Sequence, residues 1–146
     1  MVYLIDFIYA YMCTIGFAVL FYAPKDSILK TGFSGAVGWT VYTMMNNFSD
    51  SVVISAFFAS FIIALLGEFF VLSKKHPITV YIIPAIIPLV PGFGLYYTML
   101  SVLEKNYELA LQYGSESLLI AIAIAGALTI VLSLNSYRKE KKKSLF

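Results

Sequence analysis

The residue types best able to do chemistry are concentrated in one stretch, HPITVYIIPAIIPLVPGFGLYYTML, from His76 to Leu100. It has the length of one membrane-crossing helix, yet it holds Pro77, Pro84, Pro88, Pro91, Gly92 and Gly94. Pro77 suits a helix start, where its missing N–H costs nothing. Each interior proline deletes a backbone hydrogen bond and clashes with the preceding turn, at roughly 3 kcal/mol apiece. Pro84, Pro88 and Pro91, followed by Gly-x-Gly, therefore predict a helix broken near its middle. Broken backbone at membrane depth persists only where protein or a water-filled cavity satisfies the freed groups. A half-helix starting near Gly92 aims unpaired N–H groups and a positive dipole end into that space, an anion site suited to a carboxylate. Carbonyls freed near Val80, Pro84 and Ile87 favour a cation or an ammonium, so a solute bearing both charges would use both ends. The plainer alternative is a proline kink that only shapes packing. Tyr96, Tyr97 and Thr98 follow the break and offer hydroxyls to a bound carboxylate, although tyrosine also serves at membrane interfaces and in packing.

Glu68 is the one acid deep in another apolar run. It stands six residues before Lys74, so about 9 Å along a helix from that basic edge. A carboxylate at full membrane depth costs roughly 2.5 to 3.5 kcal/mol, and less near an edge. Glu68 is either a proton carrier or a snorkelling partner of Lys74 or Lys75. Asp6, close to the chain start, is expected at a solvated outer end, and Cys13 as a small packing hydrophobe. His76 has no second ligand or acid near it in sequence, which argues against a metal or general-base role. Thr40, Thr43, Asn46 and Asn47 offer hydrogen bonds across helices, and Trp39 reads as a packing residue. Nothing forms a nucleophile–base–acid set, a phosphate loop or a metal cluster, so no cofactor is expected and an enzyme is the weakest class.

The elements that must position these residues follow from composition. Of 146 residues, 60% are hydrophobic and 12% charged, against roughly 25% charged in a soluble domain. That excludes a soluble monomer and points to a single all-α membrane domain in a lipid bilayer. The net charge of +2 sits in short clusters beside apolar runs, so no nucleic-acid partner is implied. A lone cysteine excludes an internal disulfide. The N-terminal apolar stretch lacks the positive start of a secretory signal and is expected to stay on the mature protein.

Spans are expected at about 2–23, 31–47, 51–73, 77–103 and 107–136, each near the roughly 20 residues needed to cross. The second is short and rich in glycine, threonine and serine, and hydropathy alone leaves it undecided. Lysine and arginine collect on the cytoplasmic side, and this decides the matter. If 31–47 crosses, Lys25 and Lys30 share a side with Lys74, Lys75, Arg138, Lys139, Lys141, Lys142 and Lys143, which is nine of the ten basic residues. Only Lys105 is left outside, in a loop with Glu104, Glu108 and Glu116. Five spans, N-terminus out and C-terminus in, is the expected topology. An odd count suits half of a two-part transporter. Gly32, Gly35 and Gly38, with Ser34, mark 31–47 as an interface helix, and both an intramolecular contact and homo-oligomerisation stand open. Ala121, Ala123, Ala125, Gly126 and Ala127 leave the same choice in the last span.

The proline run resembles that of the threonine/serine exporter family, in particular its small, YjjB-like subunit, matching a P-x-x-x-P-x-x-P-G pattern followed by a tyrosine and a methionine. GFAVLFYAPKDSILKTGFSGAVGWTVY, residues 16–42, is similar to the family's first loop and second span. Together the two stretches cover about a third of the chain. The resemblance implies a cell inner-membrane exporter of small amino acids such as threonine and serine, or of dicarboxylates such as succinate. It further implies a separate subunit acting with a larger five-span partner that bears the other half. A non-transporting scaffold is the competing class.

Overall fold

The computed structural model describes residues 2–72 and 76–143, with side chains described for 3–72 and 76–134. Lys74, Lys75 and the side chains of Arg138, Lys139, Lys141, Lys142 and Lys143 lie outside that set. So do the lysine count that orients the chain and the pairing of Glu68 with Lys74 or Lys75. The described residues are all-helical: α1 (Val2–Leu20), α2 (Lys25–Ser49), α3 (Val52–Val71), α4 (Thr79–Ile86), a 3-10 turn (Ile87–Leu89), α5 (Gly92–Leu103) and α6 (Tyr107–Lys143).

Local chemistry explains the boundaries. Pro24, with φ −55° and an extended ψ, stands just ahead of α2, and its carbonyl accepts the Ser27 hydroxyl at 2.7 Å. Hence α2 begins at Lys25 rather than at 31. Asp50 turns the chain in the left-handed region (φ 47°), and the Ser51 hydroxyl then accepts the Ile54 N–H to start α3. Lys105 makes a second left-handed turn (φ 58°), and Asn106 Oδ1 accepts the Leu109 N–H at the start of α6. The loop between α5 and α6 is therefore only 104–106, and Glu108 and Glu116 belong to α6 rather than to that loop.

By length and apolarity α1, α3 and α6 are able to cross a membrane, and the α4–α5 pair, bent by 50°, raises the number to as many as four. At 25 residues α2 is about 37 Å long but too polar to meet the same test. It is the centre of the bundle, packed against α1, α3 and α4, while α3 also meets α6 and α5 folds back on α6. Its buried side chains are small: Ser27, Thr31, Gly32, Ser34, Gly35, Ala36 and Gly38. A Cβ on Gly32 would lie 2.8 Å from Ile15 Cγ1 of α1, and one on Gly35 would lie 2.9 Å from Thr14 Cβ. A Cβ on Gly38 would overlap Ile63 of α3. The glycine stripe is thus used inside the molecule, on two neighbours at once. Beside it, Ala56, Ala59, Ile63, Ala85, Leu89 and Ile124 form the apolar core.

Polar side chains of α2 mostly bond to their own helix: Thr40 donates to the Ala36 carbonyl and Thr43 to that of Thr40, both at 2.9 Å. They do not bridge helices as expected, because a threonine hydroxyl in a helix reaches its own preceding turn most easily. Asn47 does cross, donating to the Tyr3 hydroxyl on α1 at 3.0 Å.

Pro84 lies inside α4 and cannot donate to the Val80 carbonyl one turn back. The buried Thr31 of α2 supplies the missing donor, its hydroxyl approaching the Val80 oxygen at 3.4 Å. The Ile87 carbonyl likewise accepts the Val90 N–H at 3.1 Å. Two of the three carbonyls expected to attract a cation are therefore already engaged, the first by a side chain 49 residues away.

Two stability outcomes follow, both read as thermal midpoints of detergent-solubilised protein. Gly35→Ala forces Thr14 and α1 away and is expected to cost about 1–3 kcal/mol. Gly16→Ala, where a Cβ meets nothing within 4 Å, is expected to leave the midpoint unchanged or raised. Equal midpoints for the two variants would show that α1 and α2 are not in close contact. Thr31→Val strands the Val80 carbonyl and should lower stability by about 1 kcal/mol, whereas Thr31→Ser should retain most of it.

Candidate functional site

The turn from α4 to α5 opens onto a groove of about 320 Å³, lined by Trp39, Pro88, Pro91, Gly92, Gly94 and Glu116 among others. Three elements build it. The 3-10 turn contributes Pro88, and Pro91 stands just before α5 with ψ 59°, a geometry that ends one helix and re-aims the next. No side chain caps α5. The Gly92 N–H folds back on the Val90 carbonyl at 2.7 Å, so Phe93 and Gly94 are the first-turn donors with no intrahelical acceptor. Gly92 itself is open, with nothing within 4 Å of a Cβ placed on it.

On the far wall, α6 comes close because Gly94 has no side chain, since a Cβ there would collide with Ser117 Oγ. Ser117 is buried and donates to the Tyr113 carbonyl at 2.8 Å, which holds it against α5. Glu116, next in sequence, is exposed and lines the groove. The third wall is α2, whose Trp39 and Tyr42 rings stack with centroids 5.2 Å apart.

The predicted site residues do not all meet here. Pro88, Pro91, Gly92 and Gly94 share the groove, but Pro84 lines a separate one with Tyr22, Pro24 and Ile83 near the start of α2. Tyr96 is largely exposed, while Tyr97 packs its ring against Phe93 and Tyr113. The Thr98 hydroxyl donates to the Gly94 carbonyl at 2.7 Å, so it is committed to its own helix rather than to a ligand.

Glu68 is half-buried in a different groove of about 280 Å³ between α3 and α6, with Phe61, Leu65 and Val131. It stands about 24 Å along α3 from Val52, which borders the break. Asp6 is half-buried rather than at a solvated end, and it faces a groove with Tyr9, Trp39 and Pro88. Cys13 is exposed in the same groove instead of packed in the core. His76 finds an acid after all: its Nε2 lies 2.9 Å from Asp26 Oδ1. The carboxylate can only accept, so that nitrogen carries the proton. The contact ties the approach to α4 to the first turn of α2. Among the described residues no three His, Cys, Asp or Glu side chains gather as a metal site.

Among the groove residues that escaped the sequence reading are Glu116, read as a loop acid, and Trp39, read as plain packing. A helical period run back from the last apolar stretch would have caught the first, since Tyr113, Glu116, Ser117 and Ile120 recur at three- and four-residue spacing and all four line the groove. For Trp39 the sequence carries no signal, because what it faces is set by α1, α6 and the turn between α4 and α5.

A family model described as "Threonine/Serine exporter, ThrE" matches residues 6–134. An uncharacterized protein of Haemophilus influenzae is 29% identical over 107 residues, an alignment covering 71% of this chain and 35% of that protein. The chain thus spans about a third of the length of the curated relative it matches. No solved structure matches. The family is one of transporters rather than enzymes, and its match over most of the chain agrees with the long apolar helices. The chain is a multi-pass membrane protein and belongs to the threonine/serine exporter family.

Proposed function

We propose that this chain is one half of an inner-membrane exporter of small amino acids such as threonine and serine, and that the groove at Gly92 is its part of the solute site. The observation that carries the reading is the uncapped start of α5, open on a groove in the middle of a bent helix pair. About 18 Å of helix precedes the break (α4 with its 3-10 turn) and about 18 Å follows it in α5. If the pair is one span of a roughly 30 Å hydrocarbon layer, Gly92 lies near its midplane. There a solute carboxylate would take the Phe93 and Gly94 N–H groups and the positive end of the helix.

Five spans, with the N-terminus outside and the C-terminus inside, are part of the proposal. Support comes from the length of α2 and from the lysine and arginine positions, nine of ten on one side under that count. A larger five-span partner subunit is also proposed, because the relative is far longer than the part this chain matches. Glu68, away from the groove and partly shielded by phenylalanine and leucine, is proposed to carry the proton that couples export. Dicarboxylates such as succinate are the alternative solute class.

Gly92→Leu adds bulk on the groove from a position where a Cβ meets nothing within 4 Å. It is expected to cut threonine and serine efflux from loaded cells at least tenfold while membrane abundance stays the same, and replacing Pro88 and Pro91 with alanine should act in the same direction. Unchanged efflux in these variants would remove the site. A scaffold instead predicts that the partner, purified without this chain, still transports. For Glu68→Gln the expected result is efflux that no longer varies with external pH, and an unaltered pH profile would end the coupling role.

A further inference from the structure

The groove carries charge of one sign only, and that sign selects a class of solute. Among its described lining residues Glu116 is the one that is charged; the others are apolar, aromatic or backbone at the break, apart from the Ser117 hydroxyl, which is held by the Tyr113 carbonyl. Glu116 stands nine residues into α6, about 14 Å from its start, and Gly92 stands about 17 Å back along α5 from Leu103. The two helices are joined by the short turn at 104–106, so carboxylate and helix start come to a similar level. The Gly94–Ser117 contact holds them there.

We propose that Glu116 is the specificity-determining residue of this site, binding the ammonium of a zwitterionic α-amino acid whose carboxylate sits at the start of α5. The inference rests on the exporter reading above and refines it. A solute with one carboxylate and one ammonium meets an acceptor for each charge. The stacked rings of Trp39 and Tyr42 on the same groove offer a further electron-rich surface to the cation. A dicarboxylate has no such fit. Its second carboxylate would face Glu116 with no cation among the described groove residues to offset the repulsion. The groove is thereby built for amino acids and against dicarboxylates such as succinate.

The test compares threonine with 3-hydroxybutyrate, the same skeleton without the amino group, and with succinate. Membrane vesicles from cells carrying the native gene or its Glu116→Gln or Glu116→Asp form are loaded with each labelled solute, and initial efflux is measured. The native protein should favour threonine over 3-hydroxybutyrate by about tenfold or more, the scale of one charge-assisted contact. In Glu116→Gln that ratio should fall to within about twofold and succinate efflux should rise, while Glu116→Asp keeps the preference. Glu116 is exposed, so its substitution leaves the packing intact. Should Glu116→Gln move none of the three, the same ratio is read from protection of the purified protein against thermal unfolding. A native-like threonine preference in Glu116→Gln overturns the inference and leaves the exporter reading standing. Vesicles of the native protein that release neither threonine nor serine overturn both.

Discussion

Helices surrounded by lipid gain little by burying apolar side chains against one another, because the tails are as apolar as leucine. What remains is close approach, and in this chain close approach depends on α2. Its face of glycine, serine, threonine and alanine brings the backbone near to α1 on one side and α3 on the other. That face makes α2 too polar to look like a span, and it also makes α2 the element on which α1, α3 and α4 are assembled. Gly32 and Gly35 serve one neighbour and Gly38 the other, since each three-residue step falls about 60° short of a full turn and so rotates the stripe from α1 towards α3.

The broken helix depends on the same element. A proline in α4 leaves a carbonyl without its donor, and at depth such a group must find one in protein. Thr31 meets that need at Val80, so α2 is both the packing centre and the source of a replacement hydrogen bond. The start of α5 has no comparable help. Its first-turn N–H groups stay uncapped, Gly92 stays open, and a groove forms where the bundle leaves backbone exposed. One side of the break is thus sealed and the other open.

Much of this was legible in the residues. The long apolar runs, the proline spacing and the Gly-x-Gly after it mark α4 and α5 and the turn between them, because proline and glycine act through local backbone geometry. The family resemblance rests on that same run and on residues 16–42. Less legible were the partners of polar groups. Thr98 binds its own helix, Thr40 and Thr43 do likewise, and Asp6 faces a groove instead of water, since hydroxyls and short acids take whatever acceptor or cavity the neighbouring turn or helix presents. His76, with no acid near it in sequence, meets Asp26 from fifty residues away.

The sequence by itself determined the class of protein, a multi-pass helical membrane protein of the threonine/serine exporter family, and the position where its proline-rich apolar run bends. Hydrophobicity and backbone stereochemistry are properties of consecutive residues and need no partner to be expressed. Only the tertiary structure decided which side chains share the space at that bend. It placed Trp39, Tyr42 and Glu116 around Gly92 and left Pro84, Thr98 and Glu68 elsewhere, because a groove belongs to several helices at once, and the faces they turn to it follow from how α2 and α6 pack on α3 and α5 on α6.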